Sequence, residues 1–403
     1  GKQKEKCYVF DFAPDRSLKM VASATRLSIK VGTTVDRKIL GKFLNFCPVI
    51  SIDGSKMTPY SVESMMGQLK KSYAERVVSN GFDDKYIYND NILKLDEEAL
   101  KKFDDLRKIV GASKQAKKIE KIDINNQGFT DEQYEELQRI ERKPKRELTE
   151  EERRKLEELK EMRKQAGTAI SILRGISIRI PLLIYGANIS DDEDITVENL
   201  PDIVDDKSWE EFMPAGVSKE MFKDFSQYYE RDVFIEAGRK IRRTAKYADT
   251  LDPTERVKEI ASIFSSFRNP DKETVLTPWE TVNLHLGDCI GGFNFYDRKT
   301  NEDKTVSIIT LTDPKFVGRG EVTQKVLNDT TSKILEINSK SGLYPLYVTY
   351  SLYRQKCLDV DSKKLTDDLE KALWNEVLND NIYVVCKTPM AKSITNRTLR
   401  GYD

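Results

Sequence analysis

One stretch limits what this chain can fold into more than any other: Ile334-Leu335-Glu336-Ile337-Asn338-Ser339-Lys340-Ser341-Gly342-Leu343-Tyr344. Its first four residues, apolar around one acid, read as a buried strand. The polar, glycine-containing segment after them reads as a tight turn, and the apolar run beyond it as a helix. Further on, Asn381-Ile382-Tyr383-Val384-Val385-Cys386 is a second strand. Strand, helical crossover and strand make a parallel pair, because strands that run the same way need a long connection. At the carboxyl end of such a strand a ligand can lie against backbone amides, where small residues let it approach. Glu336 could receive the positive amino group of a bound amino-acid moiety there, with Asn338, Ser341 and Gly342 in the turn beside it. An ordinary polar strand-to-helix turn is the competing reading.

Upstream, Leu276-Thr277-Pro278-Trp279-Glu280 starts a helix, with Thr277 expected as its cap and Pro278 at the first helical position. Trp279 is placed either to stack on an adenine or to sit in the core. His285, on the same helix, reads as a packed or surface histidine, since no nucleophile or metal motif surrounds it. Phe293–Asp297 and Thr305–Leu311, joined by a polar loop, read as a β-hairpin.

The chain before this is expected to be mostly helical. Cys7-Tyr8-Val9-Phe10-Asp11-Phe12-Ala13-Pro14 reads as an isolated strand, and residues 59–175 as charged helices. Asp96 to Phe103 begins one, with acids in the first turn. A second starts near Thr130 and is interrupted at Pro144. Thr149-Glu150-Glu151-Glu152 is a capping box for a helix running through Leu156, Leu159 and Met162, so a helical hairpin is expected. Interleaved acids make its charge runs a solvated surface rather than a DNA-tracking face. Ile176 to Tyr185 reads as a strand, with Pro181 forcing an edge or a bulge. Asp191-Asp192-Glu193-Asp194 reads as a solvated acidic loop. Helix resumes over 196–268, where Pro253 begins one at a position that needs no amide proton.

Sixty-seven basic residues balance 67 acidic ones, so composition gives no support for a dedicated nucleic-acid module, although a local patch would serve. Five scattered cysteines without a Cys-x-x-Cys pair, and one histidine, argue against a zinc site and for a reducing, cytoplasmic compartment. No apolar run in the sequence approaches the length that spans a bilayer, so no membrane partner is expected. Gly1 in place of a methionine reads as a tag remnant, with the chain beginning inside a longer protein.

Together and in this order, the Thr277-Pro278 turn, the Glu336 to Gly342 loop and the Asn381 to Ala391 frame resemble the adenine DNA methyltransferases of restriction–modification (phage-defence) systems. Such enzymes read roughly L-D-P-x-C-G-S-G in the loop and N-I-Y-G-x-D-I-x-P-x-A at the second strand. By that match Glu336 stands at the loop's acid, and Ser341-Gly342 at its closing Ser-Gly. Thr277-Pro278 stands at the turn that contacts S-adenosylmethionine, and Cys386 where an acid would hold the ribose. The strand near Phe10 is similar to the tail of a helicase or translocase domain fused ahead of such methylases. The resemblance implies that residues 1–58 end a helicase-like domain plus linker. It makes 59–270 a helical coupler and 271–403 the N-terminal part of a Rossmann-like methyltransferase domain. The expected fold is α+β, with helical N-terminal and middle regions followed by the start of that sheet. DNA and a translocase in cis are the implied partners.

Three departures stand out. Lys340 replaces the loop's first glycine, Cys386 replaces the ribose acid, and the hairpin lengthens the link between Thr277 and Glu336. The catalytic Asn-Pro-Pro-aromatic turn is absent; no Pro-Pro pair occurs anywhere, and Arg268-Asn269-Pro270-Asp271 is the nearest lookalike. In the family order that turn would lie beyond Asp403. The expectation is therefore a methyltransferase fragment, inactive alone. The alternative is a non-catalytic DNA- or protein-interaction module with a degenerate methyltransferase fold. A nicotinamide site is disfavoured because the loop lacks the spaced glycines.

Overall fold

Helix starts follow their caps. In the computed structural model, residues 50–53, 56–59, 61–110, 131–268, 276–300, 306–361 and 363–402 are described. The Ser61 hydroxyl accepts the Ser64 amide at 3.1 Å and opens helix α1 (Val62–Ser79). The Asp96 carboxylate does the same for Ala99 at 2.8 Å ahead of α2 (Glu97–Val110). The helix expected near Thr130 is α3 (Asp131–Glu141). The capping box forms in full: Thr149 and Glu152 exchange amide-to-side-chain bonds, both 3.2 Å, at the head of α4 (Glu150–Ser177). α3 packs back along α4 through Leu137, Leu156 and Leu159, with Gln133 reaching Met162. Pairs such as Lys143–Glu152 and Lys155–Glu158 neutralise this hairpin locally. The strand at Cys7–Pro14, the lysine-rich 114–130 and the Asn269–Asp271 lookalike lie outside the described residues.

The strand expected over Ile176–Tyr185 is helix instead. α4 runs on to Ser177, and α5 (Ile180–Gly186) follows after a short break. Every residue of α5 is buried, so no face needs to be polar and the sequence shows no helical period. Pro181 sits in the first turn, where its missing amide leaves nothing unsatisfied. By length and composition the Glu150–Gly186 stretch contains a window apolar enough to cross a membrane, yet 67% of that window is buried inside the protein.

The chain continues through α6 (Asp206–Phe212), α7 (Lys219–Ser226), α8 (Arg231–Ala248) and α9 (Pro253–Ser266). α8 lies against α1, α5 and α9. The acidic loop is clamped to α8: Asp194 pairs with Arg239 at 2.7 Å, Asp191 with Lys246, and Arg242 donates to the carbonyls of Ile189, Ser190 and Glu193. α9 starts as expected, with Asp252 accepting the amides of Thr254 and Glu255.

The C-terminal third alternates strand and helix. α10 (Trp279–Cys289) leads into the hairpin β3 (Gly292–Thr300) and β4 (Val306–Val317), antiparallel with two register shifts and longer than the sequence suggested. A second antiparallel hairpin, β1 (Ile50–Asp53) with β2 (Lys56–Pro59), was not anticipated. Strands β5 (Ile334–Ile337) and β6 (Ile382–Val385) are parallel, in register from Ile334↔Ile382 to Ile337↔Val385. Between them run α11 (Leu343–Leu358) and α12 (Asp367–Asp380), and α13 (Pro389–Arg400) follows β6. Among the described residues this parallel sheet has two strands. The fold is thus mostly helical with small sheets, an α+β mixture.

One apolar core joins the parts, from Met65 in α1 to Leu399 in α13, with α11 buried at its centre against α9, α10, α12 and α13. Arg256 of α9 pins the strand unit to the helices. It donates to Asp249 at 3.0 Å and to the carbonyls of Arg397 and Thr398 at 2.9 Å. Those two carbonyls lie in the last turn of α13, and a guanidinium there also complements the helix dipole.

Candidate functional site

Of the sequence-marked residues, Glu336, Asn338, Ser341, Gly342 and Cys386 lie at or just beyond the carboxyl ends of β5 and β6, while Thr277, Pro278 and Trp279 lie at the head of α10. After Ile337 the chain turns with Asn338 at φ 67, a left-handed conformation that asparagine tolerates better than most residues. The amides of Asn338 and Ser339 both donate to the Val385 carbonyl, at 2.8 and 3.1 Å, tying the turn to the end of β6. Those two amides are therefore not open to a ligand.

Beyond them the loop rests on α13. Thr395 donates its hydroxyl to Ser339 at 3.2 Å, and Thr398 donates to the Ser341 carbonyl at 2.7 Å. Gly342, at φ 76, caps α11; a Cβ there would lie 3.1 Å from both Thr395 Cα and Thr398 Cβ. Its glycine is thus required by a helix packed close, as well as by its own backbone angle. The Cys386 thiol turns toward Thr395 Oγ1, 3.6 Å away, and burial pushes its pKa up, with the Glu336 and Glu211 carboxylates adding to the rise. It presents no charged acceptor.

Glu336 keeps its side chain largely out of water. Burial pushes its pKa up to about 7, against an opposing bond from the Ser339 hydroxyl. Its Oε2 is buried without a hydrogen-bond partner. The residue lines a groove of about 350 Å³ shared with Leu286, Tyr344, Pro345, Val348 and Tyr383. Tyr344 connects this groove to the Thr-Pro turn: its phenol hydrogen-bonds Thr277, and His285 Nδ1 lies 2.9 Å from it. The helix begins one residue later than expected. Pro278 occupies the cap position with no side-chain bond to the first turn, and Trp279 is the first helical residue. The Thr277 hydroxyl is therefore committed to Tyr344 rather than to an amide. Trp279 is a core aromatic, its ring centroid 5.5 Å from Phe295 and 6.1 Å from Tyr347.

Residues not singled out from the sequence complete the site. Thr388 caps α13 by accepting the Ala391 amide at 3.3 Å, and its own hydroxyl donates to Glu211 Oε2 at 2.5 Å. Ser208 Oγ accepts the Met390 amide at 3.0 Å. Both Ser208 and Glu211 belong to α6, so a helix of the middle region seats itself on the ends of the strands. Lys340 Nζ stands 3.9 Å from Glu211 Oε1, an oxygen that is buried and lacks a hydrogen-bond partner. The Thr388-Pro389 pair was readable as a helix cap in sequence; the approach of α6 was not.

Two carboxylates with idle oxygens, two hydroxyls and one ammonium surround the loop ends, and among the described residues no group of His, Cys, Asp and Glu is placed to hold a metal. Buried acceptors without donors are costly, on the order of 1–3 kcal/mol each, and a donor-rich ligand would relieve them. Comparison with known proteins finds no matching family model, curated protein or solved structure.

Proposed function

We propose that this chain is part of an S-adenosylmethionine-dependent adenine DNA methyltransferase of a restriction–modification system, with β5, α11 to α13 and β6 forming the start of its Rossmann-like cofactor domain. The observation that carries the reading is a pair of unsatisfied carboxylate oxygens, one on Glu336 of β5 and one on Glu211 of α6, which meets the loops after the two parallel strands. Open parallel sheets bind ligands at that edge. The cofactor's ammonium and ribose hydroxyls are the donors these oxygens lack. In this reading Glu336 orients the amino-acid end, and the loop Asn338–Gly342 sets its distance from α13. Thr277 acts through Tyr344, at the groove's rim. The cofactor, when bound, supplies the activated methyl group; the residues here bind and orient it. The helical middle positions this unit against a translocase and against DNA.

Calorimetric titration with S-adenosylmethionine tests the reading. Binding in the micromolar range is expected, and no detectable heat at millimolar ligand would sink it. Without an Asn-Pro-Pro-aromatic turn, the isolated chain is expected to transfer no labelled methyl group to DNA.

A second reading, a non-catalytic interaction module, draws on a different observation. Leu335, Ile337, Tyr383 and Val385 all project from the strand pair into solvent, and Lys340 sits where a glycine would admit a ligand. Replacing Lys340 with glycine and Cys386 with aspartate discriminates the two. Binding gained only on replacement favours a degenerate site, whereas tight binding without replacement favours a working one.

A further inference from the structure

The acid that β6 lacks is supplied by another part of the chain: we propose that Glu211 receives the ribose hydroxyls of the bound nucleoside in place of a carboxylate at position 386. This assignment rests on the adenosylmethionine reading above and deepens it.

Place comes first. Glu211 enters from α6 between the loop after β5 and the loop after β6, touching Lys340 of one and Thr388 of the other. A nucleoside lying across the ends of a parallel pair puts its ribose against the second strand's loop. The Cys386 thiol is turned away toward Thr395 and is a weak acceptor, so the position that should hold a ribose acid offers none.

Chemistry comes second. The Glu211 side chain is only 3% exposed, and its Oε1 has no hydrogen-bond donor. Its other oxygen is fixed by the Thr388 hydroxyl, and the Ser208 bond to the Met390 amide holds α6 against the head of α13. One oxygen is therefore anchored and the other idle, the state of a pre-positioned acceptor. A ribose hydroxyl is a neutral donor that a carboxylate binds in a charge-assisted bond. Lys340 covers Oε1 from 3.9 Å, and its flexible stem lets the ammonium swing aside without backbone movement. The substitution of lysine for glycine then makes sense as a cover for an acid donated from outside the sheet. The middle region, in consequence, is part of the cofactor site and not merely a spacer.

The test uses the whole chain, with S-adenosylhomocysteine and its 2′,3′-dideoxy analogue as calorimetric probes. Glu211→Gln is expected to weaken the riboside by about 10- to 100-fold, the range for a bond to a charged group. The same change is expected to leave the dideoxy analogue within about twofold. Equal weakening of both ligands would make Glu211 a structural prop, and no weakening of either would remove it from the site; both overturn the assignment while leaving the cofactor reading standing. Absence of binding by the unsubstituted chain overturns the reading and the assignment together. Lys340→Ala, which keeps Glu211 and α6 in place, gives an independent check. It should tighten the riboside more than the dideoxy analogue, and equal changes for the two would count against the assignment.

Discussion

Two leucines separate the helical body from the strand pair. Leu183, on α5, is completely buried, whereas Leu335, on β5, is 58% exposed. Among the described residues the body covers most of the apolar surface it makes, with Tyr247 and Ile109 as exceptions: α5 is enclosed on all sides, and α8 lies against α1, α5 and α9. The strand pair covers one face. Ile334, Ile382 and Val384 pack inward, while Leu335, Ile337, Tyr383 and Val385 alternate outward. Parallel strands are ordinarily buried on both faces. The pair is therefore held not by its sheet but by the helices behind it, and through them by the body. Perturbing the attachments should be severe, and perturbing the outer strand face nearly silent.

The attachment at Arg256 should give the largest effect. Arg256→Ala removes one guanidinium from Asp249 and from two carbonyls of α13 at once, leaving a carboxylate and backbone acceptors short of donors. Breaking a buried pair from one side costs about 3–5 kcal/mol. Urea denaturation monitored by tryptophan fluorescence should register that loss; a change under about 1 kcal/mol would mean that the strand unit does not depend on this pin. Arg256→Lys should recover only part of it, because a single ammonium cannot reach all three acceptors in the fork's geometry.

Within the body, Leu183→Ala should cost about 2–5 kcal/mol through lost burial and the cavity left behind. The same truncation at Leu335 should stay within about 0.5 kcal/mol, as exposed positions do. Equal values at the two leucines would erase the distinction between the regions.

What could be read in advance follows the same division between local and distant causes. β5, its turn, β6 and the Thr149 capping box were legible because each is written in a few adjacent residues. The helix at Ile180–Gly186 was misread as a strand because complete burial erases the polar face that betrays a helix. The hairpin at Ile50–Pro59 was missed although Asp53-Gly54 is a hairpin-turn dipeptide. Glu336, Asn338, Ser341 and Gly342 lie at the end of β5 and in the turn after it, where the local sequence puts them. Thr277, by contrast, works through Tyr344 rather than as a cap, and Trp279 belongs to the core. Nothing local announces Ser208 and Glu211, because their partners on α13 are distant in sequence and meet them only when the fold closes.

Each region also holds one carboxyl displaced to about pH 7, which provides a smaller and more selective probe. Glu336 is raised by burial; Glu230, before α8, is raised by burial and by the neighbouring Asp232 carboxylate, with Lys70 opposing. The folded state holds these protons more tightly than the unfolded chain, whose glutamates titrate near 4.5. Stability contributed by the protonated forms is thus present at low pH and falls as pH rises from about 4.5 through about 7, then levels. Glu230→Gln and Glu336→Gln should each flatten part of that fall in a series of urea midpoints against pH. On the proposed cofactor reading, saturating S-adenosylmethionine should flatten the Glu336 part alone, since its ammonium would favour the ionised carboxylate. A slope unchanged in both variants would mean that neither carboxyl retains its proton on folding.

The smallest expected effect is the most informative about the outward strand face. Leu335→Lys and Tyr383→Lys place charges on neighbouring β5 and β6 positions that are paired in register and open to water. Each ammonium keeps its hydration, so each single change should move the urea midpoint by no more than about 0.5 kcal/mol in stability. The double change brings like charges opposite each other across the strands, which adds a few tenths of a kcal/mol of repulsion that salt should screen. A loss of about 2 kcal/mol or more from either single change would instead mean that the outer face is covered in solution. The contrast between a closed body and a half-open strand pair would then be false, and a concentration dependence of that loss would identify a second copy as the cover.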